Sequence, residues 1–142
     1  MSEKNIVIAG GGFAGVSALR RLRKHKNIIG AGFKVILVDQ KPWFEFLPLL
    51  PDVVGGWMRP DRLRYSLAAA AEQENAILVN SSITGLDTDK KVLRTEEGQI
   101  PYEYAVIATG SRTNFYGKKE LRSSCMKLDT VDDAISIKET LL

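Results

Sequence analysis

The sequence predicts an α/β fold of three layers, in which a parallel sheet carries a small antiparallel hairpin insert. Three observations lead there. Short runs that are almost wholly apolar, at Asn5–Ala9, Lys34–Asp39 and residues 104–109, suit strands buried on both faces of a parallel sheet. Between the first two lies a segment with Val16, Leu19 and Leu22 at helical spacing. Between the last two, residues 83–88, 91–95 and 99–102 are joined by polar turns, as expected of an antiparallel excursion.

Each element follows in order. Ile6, Val7 and Ile8 make the first strand, and glycines follow at once. A helix is predicted over residues 13–26, and Gly30 and Gly32 break it before Val35–Val38 form the second strand. Strand, glycine turn, helix and strand make one complete βαβ unit. Residues 41–60, with Pro42, Pro48, Pro51, Gly55 and Gly56, read as a long irregular loop of functional interest. Pro60 then opens a predicted helix over residues 61–74, and residues 76–80 form a third strand. After the antiparallel excursion and the strand at 104–109, a polar segment runs to Lys127, and residues 131–142 form an amphipathic helix. Its apolar positions, Val131, Ala134, Ile135, Ile137 and Leu141, need something to pack against, so the chain is expected to be the first part of a longer protein.

Composition limits the chemistry. The chain has 142 residues, 44% hydrophobic and 26% charged, a balance that suits a folded domain rather than a disordered one. The net charge is +3, mildly basic. Arg20, Arg21, Arg23, Lys24 and Lys26 bunch together, and the favoured reading is the solvated face and C-terminal end of a helix, where cations also suit the macrodipole. The run has no interleaved aromatics, so no nucleic acid partner is expected. One cysteine, Cys125, excludes an internal disulfide and a four-cysteine zinc site, and a single His25 argues against histidine-based metal or triad chemistry. The first residues are too acidic for a signal peptide, and no apolar run approaches ~18 residues. The expected location is therefore the cytoplasm.

The chemistry lies in two stretches. Gly10-Gly11-Gly12-Phe13-Ala14-Gly15 contains G-x-G-x-x-G directly after a buried strand and at the head of a helix. The first glycine permits a tight turn and the second a close backbone approach to a pyrophosphate. The third allows helix and strand to pack closely, and the helix N-terminus offers N–H groups to the anion. Asp39, at the end of the next strand, supplies the carboxylate that accepts from the adenosine ribose hydroxyls and disfavours a 2′-phosphate. The second stretch, Tyr102-Glu103-Tyr104-Ala105-Val106-Ile107-Ala108-Thr109-Gly110-Ser111, is a strand after a hairpin, ending in Ala-Thr-Gly.

The second stretch resembles the second signature of flavoproteins with two dinucleotide-binding domains, the pyridine nucleotide-disulfide oxidoreductase superfamily. The resemblance implies a Rossmann-like FAD/NAD(P)-binding domain. Trp43-Phe44-Glu45-Phe46-Leu47-Pro48-Leu49-Leu50 is similar to the aromatic-rich Pro-Leu-Leu segment of type II NADH dehydrogenases, and Gly56-Trp57 is similar to a pair in sulfide:quinone oxidoreductases. By this likeness, which covers essentially the whole chain, FAD is the cofactor. Gly10, Gly12, Phe13, Ala14, Gly15, Asp39, Gln40 and Lys41 would hold its ADP half, the backbone at Ile83 would meet the adenine, and Ala108, Thr109 and Gly110 would lie along the pyrophosphate side. Phe46 to Pro48 would lie closer to the flavin. NADH would be the co-substrate and quinone the acceptor of the complete enzyme, with peripheral association at the inner face of the membrane and a homodimer as further expectations.

The departures from the family also inform. There is no redox cysteine pair, which removes the disulfide reductases. Cys125 is expected to be a buried structural thiol; its alternative reading is the first reactive cysteine of a sulfur enzyme. A second G-x-G-x-x-G and the later Gly-Asp motif are absent, so these residues are not expected to complete an NADH-dependent turnover. No acid, base or nucleophile is expected. A non-catalytic module that binds an adenine dinucleotide is the remaining alternative.

Overall fold

The computed structural model describes residues 4–141. In chain order the elements are β1 (Asn5–Ala9), α1 (Phe13–Lys24), α2 (Lys26–Gly30), β2 (Lys34–Asp39), β3 (Trp43–Glu45), α3 (Leu50–Val54), β4 (Arg64–Ser66), α4 (Leu67–Gln73), β5 (Ile77–Asn80), β6 (Ile83–Asp87), β7 (Val92–Thr95), β8 (Gly98–Pro101), β9 (Tyr104–Ile107), α5 (Lys119–Ser124) and α6 (Val131–Leu141). They divide into two units, each made from two stretches of chain: residues up to Phe44 with Ser66–Gly110, and Glu45–Tyr65 with the residues from Ser111 onward.

The first unit is built on a parallel sheet of order β5-β2-β1-β9. Its central strands have side chains on both faces to bury, and each face has its own cover. On one face Ile8 and Leu37 pack against Val16 and Leu19 of α1 and Leu67 of α4. On the other, Val7, Ala9, Ile36 and Val38 pack against Leu93, with Ile83, Ile100 and Tyr102 around it. These last four residues come from the 83–102 region, where β6, β7 and β8 form an antiparallel sheet. Helices, parallel sheet and antiparallel sheet make three layers, with the antiparallel insert forming one of them. Val7, Ile8, Leu37 and Val38 are fully enclosed, and each such side chain contributes about 1.5–3 kcal/mol of burial. At the start of β1, buried Asn5 donates from Nδ2 to the Pro101 carbonyl at 2.9 Å, and its own carbonyl accepts from Glu103 N. The end of the antiparallel excursion is thereby tied to β1, the strand beside which β9 runs.

The second unit has a smaller core. Leu50 and Val53 of α3, Leu63, and Val131 and Ala134 of α6 are buried together, with Phe46, Leu49 and Ile135 at the margin. Arg64 joins two carboxylates, with Nε 3.2 Å from Glu45 Oε1 and Nη2 2.5 Å from Asp132 Oδ1. Burial works against the Arg64 charge, but Asp132 and then Glu45 outweigh it and raise the pKa. At the head of α6, Asp133 N donates to Thr130 Oγ1 at 3.1 Å, and Asp133 Oδ2 accepts from Asp129 N at 3.0 Å. Burial opposes the Asp133 charge as well. Thr130, the Asp129 amide and Lys127 prevail and hold this carboxyl below the usual carboxylate range.

Several expectations are corrected. The helix predicted over 61–74 is three pieces: a 3-10 turn at Pro60–Leu63, then β4, then α4. Ser66 caps α4 by accepting from Ala69 N at 3.1 Å, which a helix already running through Ser66 would not permit. Residues 41–60 are not irregular throughout, because β3, a 3-10 turn at Leu47–Leu49 and α3 lie within them, with Pro51 in the first turn of α3. Helix α1 ends at Lys24, two residues early, and the polar segment contains α5. Cys125 is exposed, so it is not a buried structural thiol. Helix α6 finds its packing partners in α3 and Leu63, while Leu141 remains 72% exposed.

Candidate nucleotide-binding site

The chain order reverses between β1 and β9, which are neighbours in the sheet although most of the first unit separates them in sequence. In open α/β sheets such a switch point opens a crevice at the carboxyl ends of the strands. The predicted glycine turn stands there. Its shape depends on three bare α-carbons. Gly10 has φ of +108°, and a Cβ on it would run into the carbonyl oxygen of Ala108. A Cβ on Gly11 would meet Leu67 Cδ1 at 2.5 Å. One on Gly15 would run into the carbonyl oxygen of Gly10, so helix and strand approach as closely as backbone permits. Gly12 differs: its φ is −76°, it is exposed, and a Cβ would meet nothing within 4 Å.

Gly12 is also the N-cap of α1. No side chain caps that end, and no acidic residue stands in its first turn. The twelve-residue helix therefore points uncapped N–H groups and the positive end of its dipole into the open space above Gly12. That space is where the sequence puts a pyrophosphate, and no side chain or backbone from elsewhere in the fold crowds it. Ala14 is exposed, and Phe13, 43% exposed, stands edge-on to Phe44 at 4.8 Å.

Asp39 lies beside the turn. Its Oδ2 accepts from Gly11 N at 2.6 Å and its Oδ1 from Lys41 N at 2.8 Å. Each carboxylate oxygen can accept more than one bond, so both retain capacity for a ribose hydroxyl. Gln40 is exposed next to it. On the opposite side of the switch point, Ala108 N donates to Ala9 O at 2.8 Å and extends the β1–β9 ladder, and Thr109 and Gly110 follow, exposed, with Gly110 at φ +77°. The structure thus gathers Gly10, Gly12, Gly15, Asp39 and Ala108 in the first unit. Ile83 is half-buried at the start of β6 with its side chain on the antiparallel-layer core. Phe46, Leu47 and Pro48 belong to the second unit.

Two contributors escaped the sequence reading. Gly11, the variable position of the motif, is crowded by the buried Leu67 side chain and bonded through its N–H to Asp39. Asn80, at the end of β5, donates from Nδ2 to the Asp39 carbonyl at 2.8 Å. Its signal was its place after a β-strand pattern, level with Asp39 on the neighbouring strand. Among the described residues, no group of three His, Cys, Asp or Glu could hold a metal ion, and no helix is long and apolar enough to cross a membrane.

Comparisons with known proteins agree with this geometry. Residues 4–142 match the family model described as pyridine nucleotide-disulphide oxidoreductase. The chain is 28% identical over 139 residues to the sulfide-quinone reductase of Aquifex aeolicus, covering 97% of this chain and 31% of that protein. It is 30% identical over 158 residues to the type II NADH:quinone oxidoreductase of Haemophilus influenzae, covering 98% of this chain and 34% of that protein. The solved structure of the Aquifex aeolicus sulfide:quinone oxidoreductase superposes with a TM-score of 0.86 at 28% identity, over 97% of this chain and 31% of that one. NDH2 of Plasmodium falciparum shares the fold, with a TM-score of 0.80 at 22% identity over 96% of this chain and 28% of that one. The chain thus spans about a third of the length of these relatives, and across that span it belongs to the pyridine nucleotide-disulphide oxidoreductase family.

Proposed function

We propose that residues 1–142 are the FAD-binding Rossmann domain of an FAD-dependent NADH dehydrogenase of the NADH:quinone oxidoreductase type, and the first part of a longer flavoprotein with two dinucleotide-binding domains. The observation that carries this is the glycine turn at the β1–β9 switch point, with open space at Gly12 and Asp39 beside it. The residues fit an ADP moiety: uncapped helix N–H groups for the pyrophosphate, a carboxylate for the ribose, and an exposed Thr109-Gly110 pair along the other wall. Bound there, FAD supplies hydride acceptance from NADH and two-electron delivery to a quinone. The chain's own part is to bind and orient the cofactor, with Gly10, Gly12, Phe13, Ala14 and Gly15 at the phosphates, Asp39, Gln40 and Lys41 at the ribose, Ile83 at the adenine and Ala108, Thr109 and Gly110 opposite. Quinone chemistry suits peripheral association with a membrane, and the relatives' names support NADH and quinone as the partners of the complete enzyme.

One observation favours a second reading, oxidation of sulfide or a related sulfur species. Cys125 is exposed, as a reactive thiol must be, and a relative carries that activity in its name. Two measurements test these readings. Calorimetric titration of this chain with ADP and FAD should show competition for one site, and failure of both to bind would overturn the site itself. In the complete protein, NADH-dependent quinone reduction insensitive to Cys125→Ser is expected; sulfide-dependent reduction abolished by that substitution would replace the first reading with the second.

A further inference from the structure

Asp39 is held in place by groups of the protein itself. Three hydrogen bonds converge on it: Gly11 N to Oδ2 at 2.6 Å, Lys41 N to Oδ1 at 2.8 Å, and Asn80 Nδ2 to its main-chain oxygen at 2.8 Å. The bond to Gly11 spans 28 residues of sequence and that from Asn80 spans 41, so neither is a local turn closing on itself. Gly11 has no side chain with which to be positioned. The turn is instead held by backbone bonds, including Gly10 N to Val38 O at 2.8 Å, and by the Asp39 carboxylate.

We infer that Asp39 and Asn80 form a brace that holds the glycine turn in its anion-binding shape, which makes Asn80 a positioning residue of the nucleotide site. The inference rests on the reading of that site as one for an adenine nucleotide and assigns Asp39 a role beyond ribose recognition. Asn80 fixes the main chain of Asp39 from the neighbouring strand; the carboxylate then fixes Gly11; and Gly11 orients the peptide that leads into Gly12. A donor group already aimed at its anion loses less freedom on binding than one that must first be ordered. The brace therefore bears on anion binding at the turn as well as on the ribose.

Charge gives this a sign of its own. A carboxylate near an anion site repels the anion, so neutralising Asp39 should tighten pyrophosphate binding if ribose recognition were its sole task. The brace predicts the opposite.

The test titrates inorganic pyrophosphate and ADP into the wild type, Asp39→Asn and Asn80→Ala by calorimetry, counting folded molecules. Asp39→Asn keeps one acceptor oxygen and loses the other, and its pyrophosphate affinity should fall roughly threefold to tenfold. Asn80 is exposed, so Asn80→Ala should fold, and it should weaken pyrophosphate and ADP by a common factor of about two to five. A second readout is the Gly11 amide proton in nitrogen-15-labelled protein, which should resonate downfield in the wild type, move upfield in Asp39→Asn and move part of the way in Asn80→Ala. Pyrophosphate binding to Asp39→Asn equal to or tighter than the wild type, or a Gly11 amide unmoved in both variants, overturns the brace. A wild type that binds neither ligand overturns the nucleotide site instead, and the amide proton still decides the brace.

Discussion

Gly12 offers a clean separation of binding from folding. A valine there adopts φ −76° and ψ −164° without strain, and its Cβ meets nothing within 4 Å. Replacing glycine removes freedom from the unfolded chain and stabilises by about 0.4–1 kcal/mol, while valine is a poorer N-cap by a similar amount. The two effects nearly cancel, so the melting temperature should stay within roughly 3 °C. Binding should respond very differently. The isopropyl group would occupy the space above the α1 N-terminus and hold a phosphate away from its N–H donors. Two hydrogen bonds to a charged group, at about 1.5–3 kcal/mol each, then fail to form, a loss of roughly a hundredfold or more in affinity. Gly15→Ala is the contrasting control. Its Cβ would run into the Gly10 carbonyl, and separating α1 from β1 costs about 3 kcal/mol, or roughly 6–12 °C of melting temperature. The assay is calorimetry with ADP beside a thermal melt of each protein. Gly12→Val with wild-type affinity and an unchanged melt would refute the assignment of the anion to this turn.

Other expectations follow from the same contacts. Asp39→Ala should weaken ADP binding by about ten- to a hundredfold, measured per folded molecule by the same titration; lost folding with unchanged affinity would leave Asp39 a structural role alone. Arg64→Leu takes the guanidinium from Glu45, whose side chain is 6% exposed, and should cost about 3 kcal/mol by urea unfolding, with part regained in the double variant with Glu45→Gln. The depressed pKa of Asp133 makes its contribution complete above about pH 4, its value in an unfolded chain, and lost as the pH falls through the lower folded value. Melts between pH 2 and 6 should therefore show a shallower acid decline for Asp133→Asn than for the wild type. The 142-residue chain should also bind ADP nearly as well as FAD, with substoichiometric flavin absorbance after purification, because the isoalloxazine finds few contacts without the Gly-Asp motif; one tightly held FAD per chain would contradict this.

Where one residue has one task, the sequence revealed it. Val7 and Ile8 must each be buried, on opposite faces of β1, so an unbroken apolar run identifies a central strand. The glycine turn was legible because backbone collisions leave no alternative residue at Gly10 or Gly15. The stretch from 61 to 74 misled because Pro60 opens a 3-10 turn and not a continuous helix, and the chain is extended between Leu63 and Leu67. They serve different cores, Leu63 with α3 and α6 and Leu67 with α1 and the parallel sheet. No periodicity in a single sequence announces that neighbouring apolar residues answer to separate clusters. Cys125 misled because a free cysteine favours burial on average, whereas this one is exposed. Asn80 and Gly11 were invisible because their importance lies in bonds to residues 41 and 28 positions away.

The place of β1 between β2 and β9 has a consequence for the order of events on the ribosome. Ile6 to Ala9 leave the exit tunnel early, yet their ladder partners, Tyr104 to Ile107, are made almost a hundred residues later. At about 5–20 residues per second that interval is roughly 5–20 s. Until it has passed, one edge of β1 is open and the carbonyl of Ala108, against which Gly10 packs, does not exist. The nascent chain can pair β1 with β2 and lay α1 across them, but the wall of the crevice that Ala108 supplies must wait. A nucleotide cannot template the early steps of folding, and cofactor capture must follow the synthesis of β9. During that wait the open edge of β1 is a surface on which another chain can pair, a hazard that the arrival of β9 removes.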